Sequence, residues 1–499
     1  MDETRGKRVA AALADFSSRP PARGPGGDPE WPVELFHRAA GSVPAYREFL
    51  REHGADPAAV RTLADFGRLP LMTKENYHLR YPLAERCRDG RLDTCDMIAV
   101  SSGSTGHPTY WPRFVLDELS VATRFEQVFR DSFGADSTTT LAAVCFPLGT
   151  WVGGLYTAAC CRHLAAKGYP ITVVAPGNNK DEILRVVPDL AAGFEQTVLL
   201  GYPPFLKDLV DTGNARGIGW PAMNIKLVLA GEVFSEDWRD LMGERAGMTR
   251  PAYDSAALYG TADGGVLGNE TPLSITVRRF LARTPDAAQE LFGSARLPTL
   301  VQYDPASRYF EQHDGTLLFT ADSGVPLIRY HIADEGGLIA HEDVLALCRE
   351  AGFDPLAGLG PRAAANRLPF AFIFGRSHLA VSFFGANVYP ENVSAGLEQP
   401  SVSPWVTGKF VLEVVEDADR NRRLAVAVEL APGEDAAPGR TEAAADSILT
   451  ELRRLNSEFA HYVPPEYQAP RITLLPAGDP DYFPPGVKHR YTRKQGTGG

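Results

Sequence analysis

Apolar runs alternate with amphipathic stretches between about residues 35 and 340. Short apolar runs predict buried strands at residues 97–100, 141–146, 171–174, 197–200 and 225–229. A helical period predicts helices over residues 181–191 and 203–211. Strands separated by helices are typical of parallel sheets, so the pattern predicts an α/β fold.

The pattern changes near residue 375. Alternating valine and leucine on both sides of a polar turn predict a hairpin over 410–429, and a helix is predicted over 441–459. We therefore expect a large N-terminal α/β domain with parallel sheets, residues 1–374, and a smaller, mobile α+β domain, residues 379–499.

Both ends of the chain are predicted to be irregular. Proline and glycine are dense over 19–34, so residues 1–34 are interpreted as an irregular lead-in. The glycine-rich tail, residues 495–499, is expected to be disordered. The first residues carry mixed charge without an apolar segment, which does not fit a signal peptide.

Composition excludes some classes of partner. The 499 residues include 62 acidic and 50 basic side chains, a net charge of −12, which argues against nucleic acid or an anionic membrane surface as partner. Six cysteines without C-x-x-C spacing argue against a zinc site or a disulfide framework and favour the cytoplasm.

One uncharged stretch, residues 137–161, is long enough to span a bilayer. Pro147, Gly149 and Gly153 interrupt it, and no second stretch of this kind follows. A buried strand, a glycine loop and a helix that begins near Gly154 are the better interpretation.

A Ser/Gly-rich segment, SSGSTGHPT at 101–109, follows the first predicted strand. Glycines allow a sharp turn, and hydroxyl and amide groups can donate to phosphate oxygens. The segment lacks the Walker A lysine pattern, and taken alone it is also compatible with a plain loop.

Six further segments carry short motifs. In chain order they lie at 69–75, 146–154, 230–235, 259–263, 326–334 and 375–390. The ordered set resembles the adenylate-forming superfamily of acyl-CoA synthetases, peptide-synthetase adenylation domains and luciferases, and most closely its phenylacetate–CoA ligase branch. For example, the branch's YGLSE and PLIRYRTGD are similar to YGTAD at 259–263 and PLIRYHIAD at 326–334.

The resemblance implies an activity and a set of site residues. The activity is ATP-dependent conversion of a carboxylic acid to an acyl-AMP, followed by acyl transfer to a thiol such as CoA, with Mg²⁺ as cofactor. The implied ATP or AMP contacts are Ser102, Gly103, Ser104, Thr105, Gly106, Gly231, Glu232, Tyr259, Gly260, Thr261, Asp334 and Arg376. The remaining implied roles are Mg²⁺ ligand for Asp263, catalytic residue for Lys488, hinge for His378 within residues 375–378, and acyl-pocket lining for Trp151, Gly153 and Gly154.

Elementary chemistry supports these roles. A carboxylate such as Asp334 can accept hydrogen bonds from two neighbouring ribose hydroxyls, and Asp263 offers the oxygen ligands that Mg²⁺ prefers. A lysine can neutralise charge that develops on the α-phosphate. Simpler interpretations stand beside these: Asp263 as a turn residue, Asp334 as a helix N-cap or surface acid, and Arg376 and Lys488 as solvated charges.

The sequence departs from the branch at four positions. His107 replaces the lysine of the phosphate loop, and Asp263 is one methylene shorter than the usual glutamate. His378 replaces the hinge aspartate, and Lys488 is displaced by one position from the C-terminal lysine of the branch.

Three functions therefore remain open. The first is an acid–CoA ligase, with an aryl or arylacetic acid suggested by Trp151, Tyr156, Tyr202 and Phe205. The second passes the adenylate to an amine or to a carrier-protein thiol. The third is an acyl- or nucleotide-binding module without catalysis. The sequence leaves the oligomeric state open; a homodimer is one candidate, since dimers are the commonest assembly.

Overall fold

The computed structural model describes residues 3–24, 29–101, 108–294, 297–376, 380–483 and 491–492. Its strands are β1 (Met97–Ser101), β2 (Thr109–Arg113), β3 (Thr140–Val144), β4 (Ile171–Val174), β5 (Gln196–Gly201), β6 (Ile225–Ala230), β7 (Ser255–Thr261), β8 (Gly265–Asn269), β9 (Thr299–Gln302), β10 (Tyr309–His313), β11 (Thr316–Ala321), β12 (Leu327–Ile339), β13 (Phe370–Arg376), β14 (Val381–Phe383), β15 (Ala386–Val388), β16 (Val406–Glu416), β17 (Arg422–Leu430) and β18 (Arg471–Leu475).

The α-helices are α1 (Glu3–Ser18), α2 (Trp31–Ser42), α3 (Pro44–Glu52), α4 (Leu63–Phe66), α5 (Leu83–Arg86), α6 (Val115–Gln127), α7 (Val152–Ala166), α8 (Lys180–Ala191), α9 (Pro203–Ala215), α10 (Glu236–Ala246), α11 (Pro251–Asp254), α12 (Pro272–Ala282), α13 (Pro285–Phe292), α14 (His341–Glu350), α15 (Pro361–Ala364), α16 (Pro390–Leu397), α17 (Arg440–Leu455), α18 (Ser457–Tyr462) and α19 (Pro465–Gln468). Short 3₁₀ turns lie at Pro57–Ala59, Arg88–Gly90, Leu92–Thr94, Trp220–Met223 and Ser403–Trp405, and π-helical turns at Lys74–His78 and Val128–Ser132.

The chain divides into two compact units. The first contains residues 1–100, 110–201 and 209–375, and the second contains 101–109, 202–208 and 376–499. The sequence placed the change of domain at 375–378, and the two short segments of the second unit were not expected there.

A large mixed sheet organises the first unit. Its strand order is β10-β11-β12-β13-β9-β8-β7-β6-β5-β3-β4. The strands β4, β3, β5, β6 and β7 are parallel, as the helix-separated pattern predicts. The other pairings in this sheet whose register is described are antiparallel, because short turns rather than crossover helices join most of these strands. All residues of β3 and β5 are buried, as expected for strands covered on both faces.

The second unit has its own three-stranded sheet. The strands β16 and β17 form the predicted antiparallel hairpin, and β18 adds parallel to β17. The helix predicted over 441–459 is divided: α17 ends at Leu455, and the Asn456 side chain accepts from the Phe459 amide at 2.9 Å to begin α18.

The prediction of an irregular lead-in over residues 1–34 is wrong for α1 and for the start of α2. Alanine-rich sequence favours a helix in α1, and Phe16 packs there against α7, with its ring centroid 6.2 Å from that of His163. In α2, Pro32 lies in the first turn. Backbone amides there have no acceptor within the helix, so the missing N–H of proline does not weaken the helix.

The uncharged stretch 137–161 contributes β3 and most of α7. Among the residues that the structure describes, no helix is both long enough and apolar enough to cross a membrane.

Candidate active site

A buried tyrosine–carboxylate pair lies within the large sheet. The Tyr259 hydroxyl, on β7, donates to Asp334 Oδ2, on β12, at 2.6 Å. Tyr259 is 9% exposed and Asp334 is 4% exposed. Asp334 is therefore neither a helix N-cap nor a surface acid, and the structure joins two predicted nucleotide contacts that are 75 residues apart in the chain.

A bulge in β12 lies next to Asp334 and directs this residue towards Tyr259. Leu317 of β11 pairs with Asp334, whereas the next residue, Leu318, pairs with His331. The two extra residues on β12 include Ala333, whose φ of +60° lies in the left-handed region. Such strain in a non-glycine residue is concentrated at functional sites.

The predicted adenine-contacting turn follows β6. Gly231 has a φ of +84°, which a glycine adopts without strain, and Glu232 beside it is half-buried. The Ser235 side chain then accepts from the Trp238 amide at 3.1 Å and begins α10. The turn between β6 and α10 is thus defined by Gly231 at its start and by the Ser235 cap at its end.

Buried ion pairs support this turn from behind. The Arg278 guanidinium donates to the Phe234 carbonyl at 2.5 Å and to the Glu236 carboxylate. Arg239 donates to Glu236 at 2.9 Å and to Glu270 at 2.8 Å. Burial raises the pKa of Glu236, but Arg239 and Arg278 outweigh this effect and hold its pKa below the ordinary value. Glu236 therefore remains an ionised partner for both arginines.

Asp263 lies in the turn between β7 and β8. Its backbone is therefore that of a turn residue, which was one of the two interpretations from the sequence. The side chain is half-buried. The Gly264 amide donates to Thr261 Oγ1 at 2.9 Å, and Gly260 stands at a register shift between the two strands.

The donor set near Asp263 suits Mg²⁺. No group of three or more His, Cys, Asp or Glu side chains that could hold a metal lies within the described ranges. Mg²⁺ is commonly held by one or two carboxylates while substrate phosphates and waters complete its shell. A single half-buried carboxylate therefore fits this ion, whereas it would not fit a structural zinc site.

The three residues predicted to line the acyl pocket lie at the start of α7. Trp151 is 9% exposed and forms a parallel bridge with Val100. A Cβ on Gly154 would lie 2.1 Å from the Pro147 carbonyl oxygen, so close packing of α7 requires this glycine. Gly153 beside it is half-buried.

The aromatic residues suggested as a pocket wall are divided between the two units. Trp151 and Tyr156 belong to the first unit, and Tyr202 and Phe205 to the second. In the second unit the Tyr202 ring stacks on Tyr462 with centroids 5.5 Å apart, so part of its surface serves packing.

Several predicted site residues lie outside the described residues: Ser102, Gly103, Ser104, Thr105, Gly106, His107, His378 and Lys488, together with the predicted disordered tail. Arg376 ends β13 by its backbone, and its side chain is not described. Their roles stay predictions.

Two curated proteins resemble the chain over most of its length. The phenylacetate–CoA ligase of Aromatoleum evansii is 23% identical over 425 residues, covering 83% of this chain and 82% of that protein. The phenylacetate–CoA ligase of Thermus thermophilus is 24% identical over 359 residues, covering 71% of each. The predicted resemblance to phenylacetate–CoA ligases is confirmed. A scan against protein-family models found no match.

Solved structures support the fold. A 2-hydroxyisobutyryl-CoA ligase in complex with 2-HIB-AMP and CoA superimposes with a TM-score of 0.64 at 15% identity, covering 98% of this chain and 90% of that one. The same ligase in a postadenylation state gives a TM-score of 0.53 at 14% identity. The predicted α/β fold with a smaller α+β part is confirmed.

Four buried arginines that no sequence motif indicated contact the candidate site. Arg113 and Arg308 contact the turn that carries Asp263, while Arg239 and Arg278 support the turn after Gly231. An isolated arginine in a sequence ordinarily indicates a surface charge. Because several partners of these arginines are carbonyls or carboxylates far away in the chain, no local pattern could have identified them.

Proposed function

We propose that this protein is an ATP-dependent, AMP-forming carboxylate ligase that transfers the acyl group to CoA. The observation that carries the proposal is the buried Tyr259–Asp334 pair in a chain that resembles phenylacetate–CoA ligases. A carboxylate held by a hydroxyl at 2.6 Å in a largely buried site is an oriented acceptor for ribose hydroxyls.

Each site residue has its own role in the first half-reaction. Asp334 binds the ribose, Gly231 and Glu232 contact the adenine, and the Ser/Gly segment at 102–106 binds the β- and γ-phosphates. Asp263 supplies a ligand for Mg²⁺, which neutralises phosphate charge when it is bound. A carboxylate oxygen of the acid attacks the α-phosphorus, and pyrophosphate leaves. Lys488 stabilises the negative charge that develops during this step.

The second half-reaction transfers the acyl group. The sulfur of CoA attacks the acyl carbonyl, the thiol proton is lost, and AMP leaves with the bonding electrons. We place the pivot for this step at His378. An aryl or arylacetic acid is the proposed substrate class, supported by the names of the two curated relatives and by Trp151 at the start of α7.

Transfer to an amine or to a carrier-protein thiol is the alternative, because His378 and the context of Lys488 depart from the branch. We further propose a homodimer and a cytoplasmic location, which rest on the frequency of dimers and on the cysteine pattern.

Acid-dependent exchange of pyrophosphate into ATP tests the proposal directly. A panel of aryl, arylacetic and aliphatic acids is assayed without CoA, and exchange with at least one aryl or arylacetic acid is expected. Addition of CoA or amines then separates thioester from amide formation. ATP binding without exchange across the whole panel would favour the non-catalytic binding module.

The Asp334→Ala variant provides the matched test of the site. Its ATP affinity should fall while its fold, followed by circular dichroism, is retained. Unchanged ATP affinity would refute the ribose assignment, whatever the outcome of the exchange assay.

A further inference from the structure

The turn that carries Asp263 has its carbonyl groups bound by two buried guanidinium groups. Arg113 Nη2 donates to the Ala262 carbonyl and, at 2.7 Å, to the Asp263 carbonyl. Arg308 Nη2 donates to the Gly264 carbonyl at 3.4 Å. Three successive carbonyls are thus bound by side chains that come from β2 and from the loop before β10.

Both arginines are buried, and a guanidinium group stays protonated in proteins. Arg113 is 1% exposed and Arg308 is 2% exposed. Asp117 Oδ2 lies 3.4 Å from Arg113 Nη1 and provides the nearby countercharge.

Neighbouring contacts restrict the same turn from other directions. The Gly264 amide donates to Thr261 Oγ1 at 2.9 Å. A Cβ on Gly264 would lie 2.7 Å from the Phe319 ring, so packing closes one side of the turn. With its backbone held in this way, the position of the Asp263 carboxylate depends only on its own side-chain torsions.

We propose that Arg113 is a positioning residue that holds the Asp263 carboxylate ready for the metal. This inference rests on the proposed function, in which Asp263 is the Mg²⁺ ligand. The described hydrogen bonds of Arg113 go to the turn and to Asp117, so Arg113 acts through the turn. Arg113 also ends β2, six residues after His107, and so belongs to the strand that directly follows the Ser/Gly segment.

The test compares two arginines of equal burial in the full-length protein. Arg113→Lys keeps the charge but loses the planar guanidinium, in which Nη2 donates to the two carbonyls while Nη1 donates to Asp117. Arg124→Lys is the control, because Arg124 is also 1% exposed and pairs with Asp304 at 3.4 Å, without a described contact to the turn. Arg113→Met removes the donors altogether.

Two readouts that are independent of turnover decide the outcome. The first is Mn²⁺ binding to the protein with ATP, measured by electron paramagnetic resonance. Loss of an outer-shell contact typically weakens metal affinity 10–100-fold, so half-saturation should rise about tenfold in Arg113→Met and about threefold in Arg113→Lys. The second is hydrogen exchange of the peptide 258–268, which should accelerate in both Arg113 variants and not in Arg124→Lys.

The possible results separate the two proposals. If Arg113→Met does not fold, the comparison of Arg113→Lys with Arg124→Lys is sufficient for the test. Equal Mn²⁺ half-saturation and equal exchange in these two lysine variants would overturn the positioning role and leave the proposed function intact. If the wild-type protein with ATP binds no Mn²⁺ and shows no acid-dependent exchange of pyrophosphate, the proposed function itself fails.

Discussion

Removing one oxygen atom from Tyr259 isolates the hydrogen bond at the centre of the candidate site. In Tyr259→Phe the ring can keep its packing on Phe310, whose centroid lies 6.4 Å away. What is lost is the donor to Asp334 Oδ2 at 2.6 Å. The variant therefore tests the bond rather than the cavity around it.

The expected magnitude follows from the burial of the pair. A hydrogen bond to a charged group contributes about 1.5–3 kcal/mol, and the partners here are 9% and 4% exposed, so water replaces little of it. We expect the free energy of unfolding to fall by about 2 kcal/mol. We expect the Kd for ATP to rise about tenfold, because the carboxylate loses the group that orients it.

The assay is a double-mutant cycle with Asp334→Ala, which removes the acceptor. Urea unfolding gives the stability term and calorimetric titration gives the ATP term. Tyr303→Phe is the matched control, since its ring packs on the same Phe310 at 4.8 Å and the described residues give its hydroxyl no hydrogen bond. That control should change stability by less than about 0.5 kcal/mol.

A coupling energy between Tyr259 and Asp334 below about 0.5 kcal/mol would refute the reasoning, because contacting residues in one hydrogen bond couple by more than this. An equal loss of stability in Tyr303→Phe would show that the ring environment, and not the bond, determines the effect.

Three further predictions address the rest of the chain. Lys488→Ala should abolish exchange of pyrophosphate into ATP, whereas Lys494→Ala in the same basic stretch should retain it; equal activities would remove Lys488 from the mechanism. His378→Pro should impair acyl transfer to CoA more than adenylation, and equal losses in the two assays would argue against a hinge there. His78 is buried, and its Nδ1 lies 2.8 Å from Nη1 of Arg86. Burial and the positive charge of Arg86 hold the pKa of His78 well below its ordinary value. The unfolded chain therefore binds a proton that the folded protein does not, and stability should fall below about pH 6.5 by up to about 1.4 kcal/mol per pH unit. His78→Asn keeps an acceptor for Arg86 and should flatten this dependence in urea unfolding at several pH values; an unchanged slope would exclude His78 as its origin.

Local sequence was sufficient for much of the architecture. Each apolar run from 141 to 229 became a strand of the large sheet, because strands of a sheet that is covered by helices are mainly apolar. The motif order also identified Tyr259 and Asp334 as members of one site, and the structure joins them. The lead-in shows the opposite case, since composition alone suggested an irregular segment where α1 packs Phe16 on α7.

Tertiary structure alone decided how the site is supported. The bulge at Ala333 depends on the pairing of β11 with β12, which no pattern within β12 specifies. The same holds for Arg113, whose carbonyl partner on Asp263 lies 150 residues away in the chain. The sequence determines which reactive and binding groups the candidate site contains, because those groups occur in local motifs. The positions of those groups are set by long-range contacts between buried charges and backbone carbonyls, and such contacts exist only in the folded chain.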